Sequence, residues 1–498
     1  MIKNFFTDSG IPIESVYTLE NLEKMSFDYQ KDLGLPGKWP YTRGIDPEMY
    51  RGQQWIESVY MGFGSPEDCN KKLRNVLKEG KEVGLQIAMD LPTQLGLDSD
   101  HPIASPEVGR VGVAIDSLQD MEILFDRVDI ERLRFIGTPA CSIGPIMLAM
   151  FIALGEKNGI PPKEYKVVLA NDALKEFVSR GTYIFPPKQA LKLATDTIEY
   201  CANNIPSWAP IHVHGGSFLD SGSTAIQEIG FSLAFILAYI ESTLERGLGI
   251  DDFVHMFSLR LYTGMDFFES VAKFRALRRM WARLMRERFG AKDEKSLKLD
   301  LQISTSGASL TAQQPVNNIV RVALQALAAV LAGGQKIRCA AMDEGLSTPT
   351  EETLKVALRT QQIIFHETGV AHTVDPLGGS YYVEYLTKKL EEEAMVYVEK
   401  VDEMGGILQA LEQRFFQSEI EKASYKLQKA VENGEKVIVG VNEYVEKEEI
   451  PIKIVKREPG VVRNQVVKLK RLKDERDNDK VRGSLDRLKG KANNGENL

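Results

Sequence analysis

From residue 84 to residue 379 the chain repeats one pattern. A short β-type run ends in small or polar residues, and a stretch with apolar residues at helical spacing follows. The runs are GLQIAMD (84–90), RLRFIGT (132–138), YKVVLAND (165–172), APIHVHGG (209–216), FSLRLYTG (257–264), LDLQISTSG (299–307), GQKIRCAAM (334–342) and HTVDPLGG (372–379). The stretches between them include SLAFILAYIESTLERGL and SVAKFRALRRMWARLMRERF. Eight strand–helix units over about 300 residues predict an α/β fold, a (β/α)8 TIM-type barrel, with an open doubly wound sheet as the competitor. No GxGxxG or GxxxxGK(S/T) follows any run, which argues against a dinucleotide or P-loop site.

Residues 1–83 are read as an N-terminal segment and barrel entry, 84–384 as the barrel, and 385–498 as a helical extension with a basic tail. The tail, 453–498, carries 14 Lys/Arg and 7 Asp/Glu, so it reads as a solvated helix with a disordered end or as a docking arm for an acidic partner. The whole chain is acidic, with a net charge of −8, which argues against nucleic acid as a partner. Of 498 residues, 43% are hydrophobic and 27% charged, which excludes a largely disordered or coiled-coil chain. Cys69, Cys141, Cys201 and Cys339 are scattered, without zinc-type spacing, so no metal site is expected and free thiols suit a reducing compartment. The N-terminus has no basic start followed by an apolar core, and the longest apolar stretch, 145–154, is far short of the ~20 residues that span a bilayer. A cytoplasmic protein without a membrane partner is expected.

Several runs alternate apolar residues with polar ones, and successive strand residues point to opposite faces. Asp300, Gln302, Ser304 and Ser306 share one parity; so do His212, His214 and Gly216; Ser258, Arg260 and Tyr262; and Lys336, Arg338 and Ala340. The apolar parity must meet the helices, so the polar parity is expected to line the barrel axis. Unpaired buried polar groups cost about 1–3 kcal/mol each. A lumen of this kind therefore implies either internal ion pairs and water or a long polar ligand, whose negative groups Arg260, Lys336 and Arg338 would meet.

The stretches YTRGIDPEMYRGQQW (41–55), YMGFGSPEDCN (60–70), AMDLPTQLGLDSDHP (88–102), VGVAIDSLQDMEILFD (111–126), NDALKEFVSRGTYIFPP (171–187), SGASLTAQQPVNNIVR (306–321), MDEGLSTPT (342–350) and VDPLGGSYYVE (374–384) resemble the large, substrate-binding subunit of the methylmalonyl-CoA mutase family. The resemblance implies a barrel whose axis accepts coenzyme A. It implies an isomerase that rearranges the carbon skeleton of a methylmalonyl-CoA or succinyl-CoA type thioester through radicals generated from adenosylcobalamin. The family's Asp-x-His-x-x-Gly cobalt-ligand motif is not found around any of the six histidines. A separate small cobalamin-binding subunit is therefore implied, together with a GTPase-type chaperone and a hetero-oligomeric assembly.

By the same resemblance, Tyr60 lies against the substrate and the adenosyl group, Arg180 pairs with a substrate carboxylate, and Glu344 holds the adenosyl ribose hydroxyls, with Gln313 and Ala340 on the cofactor side. Each also has a plain structural reading: a packed tyrosine, a helix-end ion pair, a surface carboxylate. The departures are equally specific. The family's Tyr-His pair is Gly216-Ser217 here, its histidine and glutamine on one strand are Gln302 and Ser304, a glutamine is Ala170, a tryptophan is Ala308, and the ribose-binding asparagine is Ala340. Ser217 or His214 is the expected replacement for the histidine that donates to the thioester carbonyl. The substituted pocket suggests a bulkier acyl-CoA, or a non-catalytic CoA-binding subunit.

Overall fold

The computed structural model describes residues 5–80, 83–447 and 458–498. Eight parallel strands form a nearly closed barrel: β1 (Ile56–Met61), β2 (Val83–Ile87), β3 (Phe135–Pro139), β4 (Val167–Ala170), β5 (Ile211–His214), β6 (Phe257–Thr263), β7 (Asp300–Thr305) and β8 (Lys336–Arg338). Their order in the sheet is β4-β3-β2-β1-β8-β7-β6-β5, and a bridge between Val168 and Ala209 ties β4 to the residues that enter β5. A helix follows each strand: α1 (Pro66–Val76), the short α2 (Leu118–Leu124), α3 (Gly144–Lys157), α4 (Pro187–Asn204), α5 (Ala225–Leu244), α6 (Phe267–Arg283), α7 (Asn317–Leu331) and α8 (Glu351–Glu367). Helices α9 (Tyr381–Glu403) and α10 (Phe415–Glu432) extend the barrel, and α11 (Val461–Glu475) and α12 (Asn478–Asn493) form the basic tail.

The first barrel strand is Ile56–Met61, and the run at 372–379 is not a strand. That run holds only two β-branched residues before Pro376 and a Gly-Gly pair, and Asp375 has a positive φ of 47°. The Asp375 carboxylate instead joins Arg43 Nε at 2.9 Å and Arg275 Nη1 at 2.5 Å. It is an ion-pair node, which a strand could not supply there. Ile56–Met61 escapes the pattern because Glu57 and Ser58 interrupt its apolar residues.

The chain divides into two compact units. The first comprises Met1–Ser58, Val213–Ile240 and Gly249–Ile454. Its central helix is α6, buried from Glu269 to Ala282 although it carries Lys273, Arg275, Arg278 and Arg279. Buried charges require partners. Arg275 reaches Glu384 Oε1 at 2.5 Å as well as Asp375, Arg279 Nε reaches Glu391 Oε2 at 2.6 Å, and Arg278 donates to the carbonyls of Tyr41 and Thr42 at 3.2 and 3.1 Å. Asp266 caps α6 by accepting from Glu269 N at 3.2 Å.

The second unit comprises Val59–His212, Glu241–Leu248 and Val455–Leu498. Here one face of the basic tail is packed against the protein. Helix α11 buries Val461, Gln465 and Leu469. Its Gln465 bonds Asp116 at 2.8 Å, Lys468 pairs with Asp120 at 2.7 Å, and Lys473 with Asp98 and Asp100 at 2.7 and 2.8 Å. The tail's positive charge therefore meets acidic groups of its own unit. Helix α12 buries no residue. All four cysteines are buried and free. Among the described residues one helix, α5, is long and apolar enough to cross a membrane, and 89% of its apolar window is buried inside the fold.

Candidate active site

The polar parity of β6, β7 and β8 forms one bonded layer. Parallel register sets Arg260 beside Gln302, Tyr262 beside Ser304, and Arg338 beside Ser304. Arg260 Nε donates to Ser304 Oγ at 2.9 Å, Lys336 pairs with Asp300 at 2.6 Å, and Gln302 Nε2 donates to Ser58 Oγ at 3.0 Å. The opposite parity, Leu259, Leu261, Leu301, Ile303 and Ile337, is fully buried and apolar. The alternation read from the sequence thus separates two faces, and the polar face is satisfied largely within the protein.

At the strand ends of the first unit this layer meets a cluster built around His214. Imidazole Nε2 lies 2.9 Å from the Tyr262 hydroxyl, and Nδ1 lies 3.3 Å from Ser217 Oγ. Ser217 sits on the short helix Gly216–Asp220 that follows β5. Burial, only partly countered by Arg260, pushes the Tyr262 phenol up to about 12, so it keeps its proton at neutral pH. The Arg260 guanidinium lies 5.4 Å from the Tyr262 ring centroid.

Gly216 is required there. A Cβ at this position would come within 2.5 Å of Tyr262 Cδ1. The space that a missing side chain opens at Gly216 is therefore filled by the Tyr262 ring, and the pocket is not enlarged at this point.

Glu344 follows β8 and accepts from Arg338 Nη2 with both oxygens at 2.6 Å, and from Ala341 N at 3.3 Å. Ala340 is buried, its N–H bonded to Thr305 Oγ1 at 2.7 Å. Asp220 accepts from Ser306 at 3.4 Å. The protein packed around its carboxyl, then the charges of Glu228 and Glu344, raise it to about 6, although the residue is exposed and water screens the effect. Gln313 is exposed; its carbonyl accepts from Thr311 Oγ1 at 2.7 Å.

In the second unit Tyr60 is half-buried near the end of β1. Arg180, in the loop after β4, donates from Nη2 to Gln94 Oε1 at 2.9 Å, and its Nη1 lies 3.5 Å from Glu176. Gln94 is itself fixed by donating to Met89 O at 2.6 Å. Glu176 is buried against Lys175 and Thr182. Burial alone would raise its carboxyl, but Lys175 and Arg180 together hold it well below the usual range. Lys175 Nζ also lies 3.3 Å from Cys141 Sγ, whose thiol burial pushes up to about 12.

Tyr262, Gln94 and Glu176 are the site residues that sequence reasoning passed over. Tyr262 shares the parity of Arg260, and Gln94 and Glu176 fall inside matched stretches, so the signal was present without a role attached. Among the described residues no group of three or more His, Cys, Asp or Glu is placed to hold a metal ion.

The sequence pattern described as methylmalonyl-CoA mutase matches residues 6–498. The chain is 39% identical over 490 residues to the 2-hydroxyisobutanoyl-CoA mutase large subunit of Aquincola tertiaricarbonis, covering 98% of this chain and 86% of that one. It is 40% identical over 493 residues to the methylmalonyl-CoA mutase of Cereibacter sphaeroides, covering 99% and 68%. The mitochondrial methylmalonyl-CoA mutase of Homo sapiens is 39% identical over 472 residues, covering 95% and 62%. These relatives are acyl-CoA mutases. With a nearly closed parallel barrel and a match to the family over residues 6–498, the chain belongs to the methylmalonyl-CoA mutase family, isomerases of the intramolecular transferase type.

Proposed function

We propose that the chain is the substrate-binding large subunit of an adenosylcobalamin-dependent acyl-CoA mutase. Its proposed substrate is a thioester with a free carboxylate, of the methylmalonyl-CoA/succinyl-CoA type. The observation that carries this reading is Arg180. Gln94 and Glu176 set its guanidinium, and its side chain remains 33% accessible. A planar fork held from behind suits bidentate pairing with a carboxylate.

Ser217, with His214 behind it, is assigned to the thioester carbonyl, which a neutral donor polarises without adding charge. Tyr60 is assigned to the face that shields the reacting centre from water. Arg260, Gln302, Ser304 and Arg338 form the polar wall for the coenzyme A arm.

Glu344 suits the ribose of the adenosyl group. Among the described residues it accepts three hydrogen bonds, two from Arg338 and one from the Ala341 N–H, and a carboxylate has about four acceptor positions, so one position is left for a ribose hydroxyl. Adenosylcobalamin supplies the radical that opens the rearrangement. A small cobalamin-binding subunit and a GTPase-type chaperone complete the proposed assembly, with Ala340 and Gln313 on the cofactor side.

A second reading has a specific support. Ala170 and Ala308, small where the resemblance has glutamine and tryptophan, are both accessible, which favours a bulkier acyl group. The test is reconstitution with the small subunit and adenosylcobalamin against a panel of acyl-CoA thioesters. Interconversion of methylmalonyl-CoA and succinyl-CoA is the expected result. Turnover confined to thioesters without a free carboxylate overturns the substrate assignment, and binding without turnover across the panel overturns the mutase reading.

A further inference from the structure

Tyr262 is held by more than its ring. Its backbone N–H donates to Glu228 Oε1 at 2.8 Å, its carbonyl accepts from Lys273 Nζ, and Lys273 pairs with Glu228 at 2.6 Å. Strand β6 is thus clamped to α5 and α6 at this residue. The ring packs over Gly216, where no Cβ fits, and edge-on to His214 with centroids 5.4 Å apart. Among the described residues the hydroxyl bonds only His214. This is an expensive arrangement for a tyrosine that merely fills space, since phenylalanine would fill it equally well.

We propose that Tyr262 is a positioning residue that orients a directed hydrogen-bond chain, Tyr262 O–H to His214 Nε2, His214 Nδ1–H to Ser217 Oγ, and Ser217 O–H toward the bound acyl group. The direction follows from the chemistry of each member. A buried phenol that keeps its proton donates it. A neutral imidazole has one donor and one acceptor, so accepting at Nε2 leaves the hydrogen on Nδ1. Ser217, once it accepts from His214 at 3.3 Å, turns its own hydrogen away from the imidazole and becomes the better donor, because hydrogen bonds in a chain polarise one another. A short serine thereby gains the orientation it lacks alone. No proton is transferred; the chain fixes a tautomer and a direction.

This inference rests on the reading above that Ser217 meets the thioester carbonyl, and the experiment separates the two. The full chain has six histidines, so a 15N–1H multiple-bond spectrum of 15N-histidine-labelled protein is tractable, with His214 assigned by His214→Gln. The expected result in the wild type is the Nδ1–H tautomer at His214. An Nε2–H tautomer, or an imidazolium at neutral pH, overturns the proposal without recourse to any variant. Tyr262→Phe keeps the ring over Gly216 and is expected to release the tautomer. In the reconstituted enzyme it is expected to lower kcat about tenfold with little change in KM. An unchanged His214 spectrum in Tyr262→Phe also overturns it. An Nδ1–H tautomer that depends on Tyr262, found together with no turnover of any thioester, leaves the chain standing and removes the mutase reading.

Discussion

Two buried lysine–glutamate pairs underlie the two clusters, and they are not equivalent. In the second unit Lys175 and Glu176 are neighbours in sequence, both side chains wholly buried, and Arg180 adds a second cation to the same carboxylate. In the first unit Lys273 of α6 reaches Glu228 of α5 from another helix at 2.6 Å, and it is the only cation bonded to that carboxylate among the described residues. The consequence is visible in the carboxyls. Burial wins at Glu228 and raises it, whereas two cations win at Glu176 and lower it. One pair anchors Arg180; the other clamps the backbone of Tyr262. Charge density around the carboxylate, rather than burial, separates the two.

The largest test of the comparison is to break the clamp. Glu228→Gln leaves Lys273 buried with a neutral partner, and loss of a buried pair member costs about 3–5 kcal/mol. Urea unfolding is expected to show that loss, and Glu228→Gln with Lys273→Met to recover part of it. A single substitution within 1 kcal/mol of the wild type would mean that the clamp is not an ion pair.

Arg180→Ala comes next. Removing a charge that pairs a ligand carboxylate costs about 2–5 kcal/mol in transition-state binding. Turnover of a carboxylate-bearing thioester is therefore expected to collapse while the fold persists. Equal kcat/KM in wild type and variant would show that Arg180 serves the second unit's packing alone. Gly216→Ala is smaller still. Overpacking against the Tyr262 ring is expected to cost about 1–3 kcal/mol. The control is Gly264→Ala, where a Cβ meets nothing within 4 Å, and thermal unfolding compares the two.

The same contrast governs what the sequence discloses. Seven of the eight barrel strands stand out as short β-type runs followed by helical stretches, and four of them alternate apolar residues with polar ones. The eighth, Ile56–Met61, is masked by Glu57 and Ser58, and its place is wrongly given to a segment whose Asp375 is needed for Arg43 and Arg275. Arg180 is named through a matched stretch that also holds Glu176, four residues before it, while its other partner, Gln94, lies 86 residues away. The His214 cluster is not legible in the same way. Strand parity puts Tyr262 on the inner face, but it cannot say that its ring crosses to the neighbouring strand's Gly216 and His214. Only the sheet order supplies that.

The smallest effect, and the one that separates the pairs most sharply, is their pH dependence. A carboxyl lowered in the folded state binds fewer protons there than in the unfolded chain, so stability rises with pH. Glu176 therefore contributes stability that is present above its ordinary value of 4.5 and lost as pH falls below it. A raised carboxyl does the reverse. The contribution of Glu228 is present below 4.5 and lost as pH rises through its elevated value. Each slope is at most about 1.4 kcal/mol per pH unit, the most that one proton can give. Unfolding free energies of wild type, Glu176→Gln and Glu228→Gln, measured from acid to neutral pH, are expected to differ in sign. Glu176→Gln flattens the acid-side loss, and Glu228→Gln flattens the decline toward neutrality. Parallel curves for the two variants would place both carboxylates in the same electrostatic setting and remove Arg180 as the cause of the difference, since Arg180 is the one cation bonded to Glu176 that has no counterpart at Glu228 among the described residues.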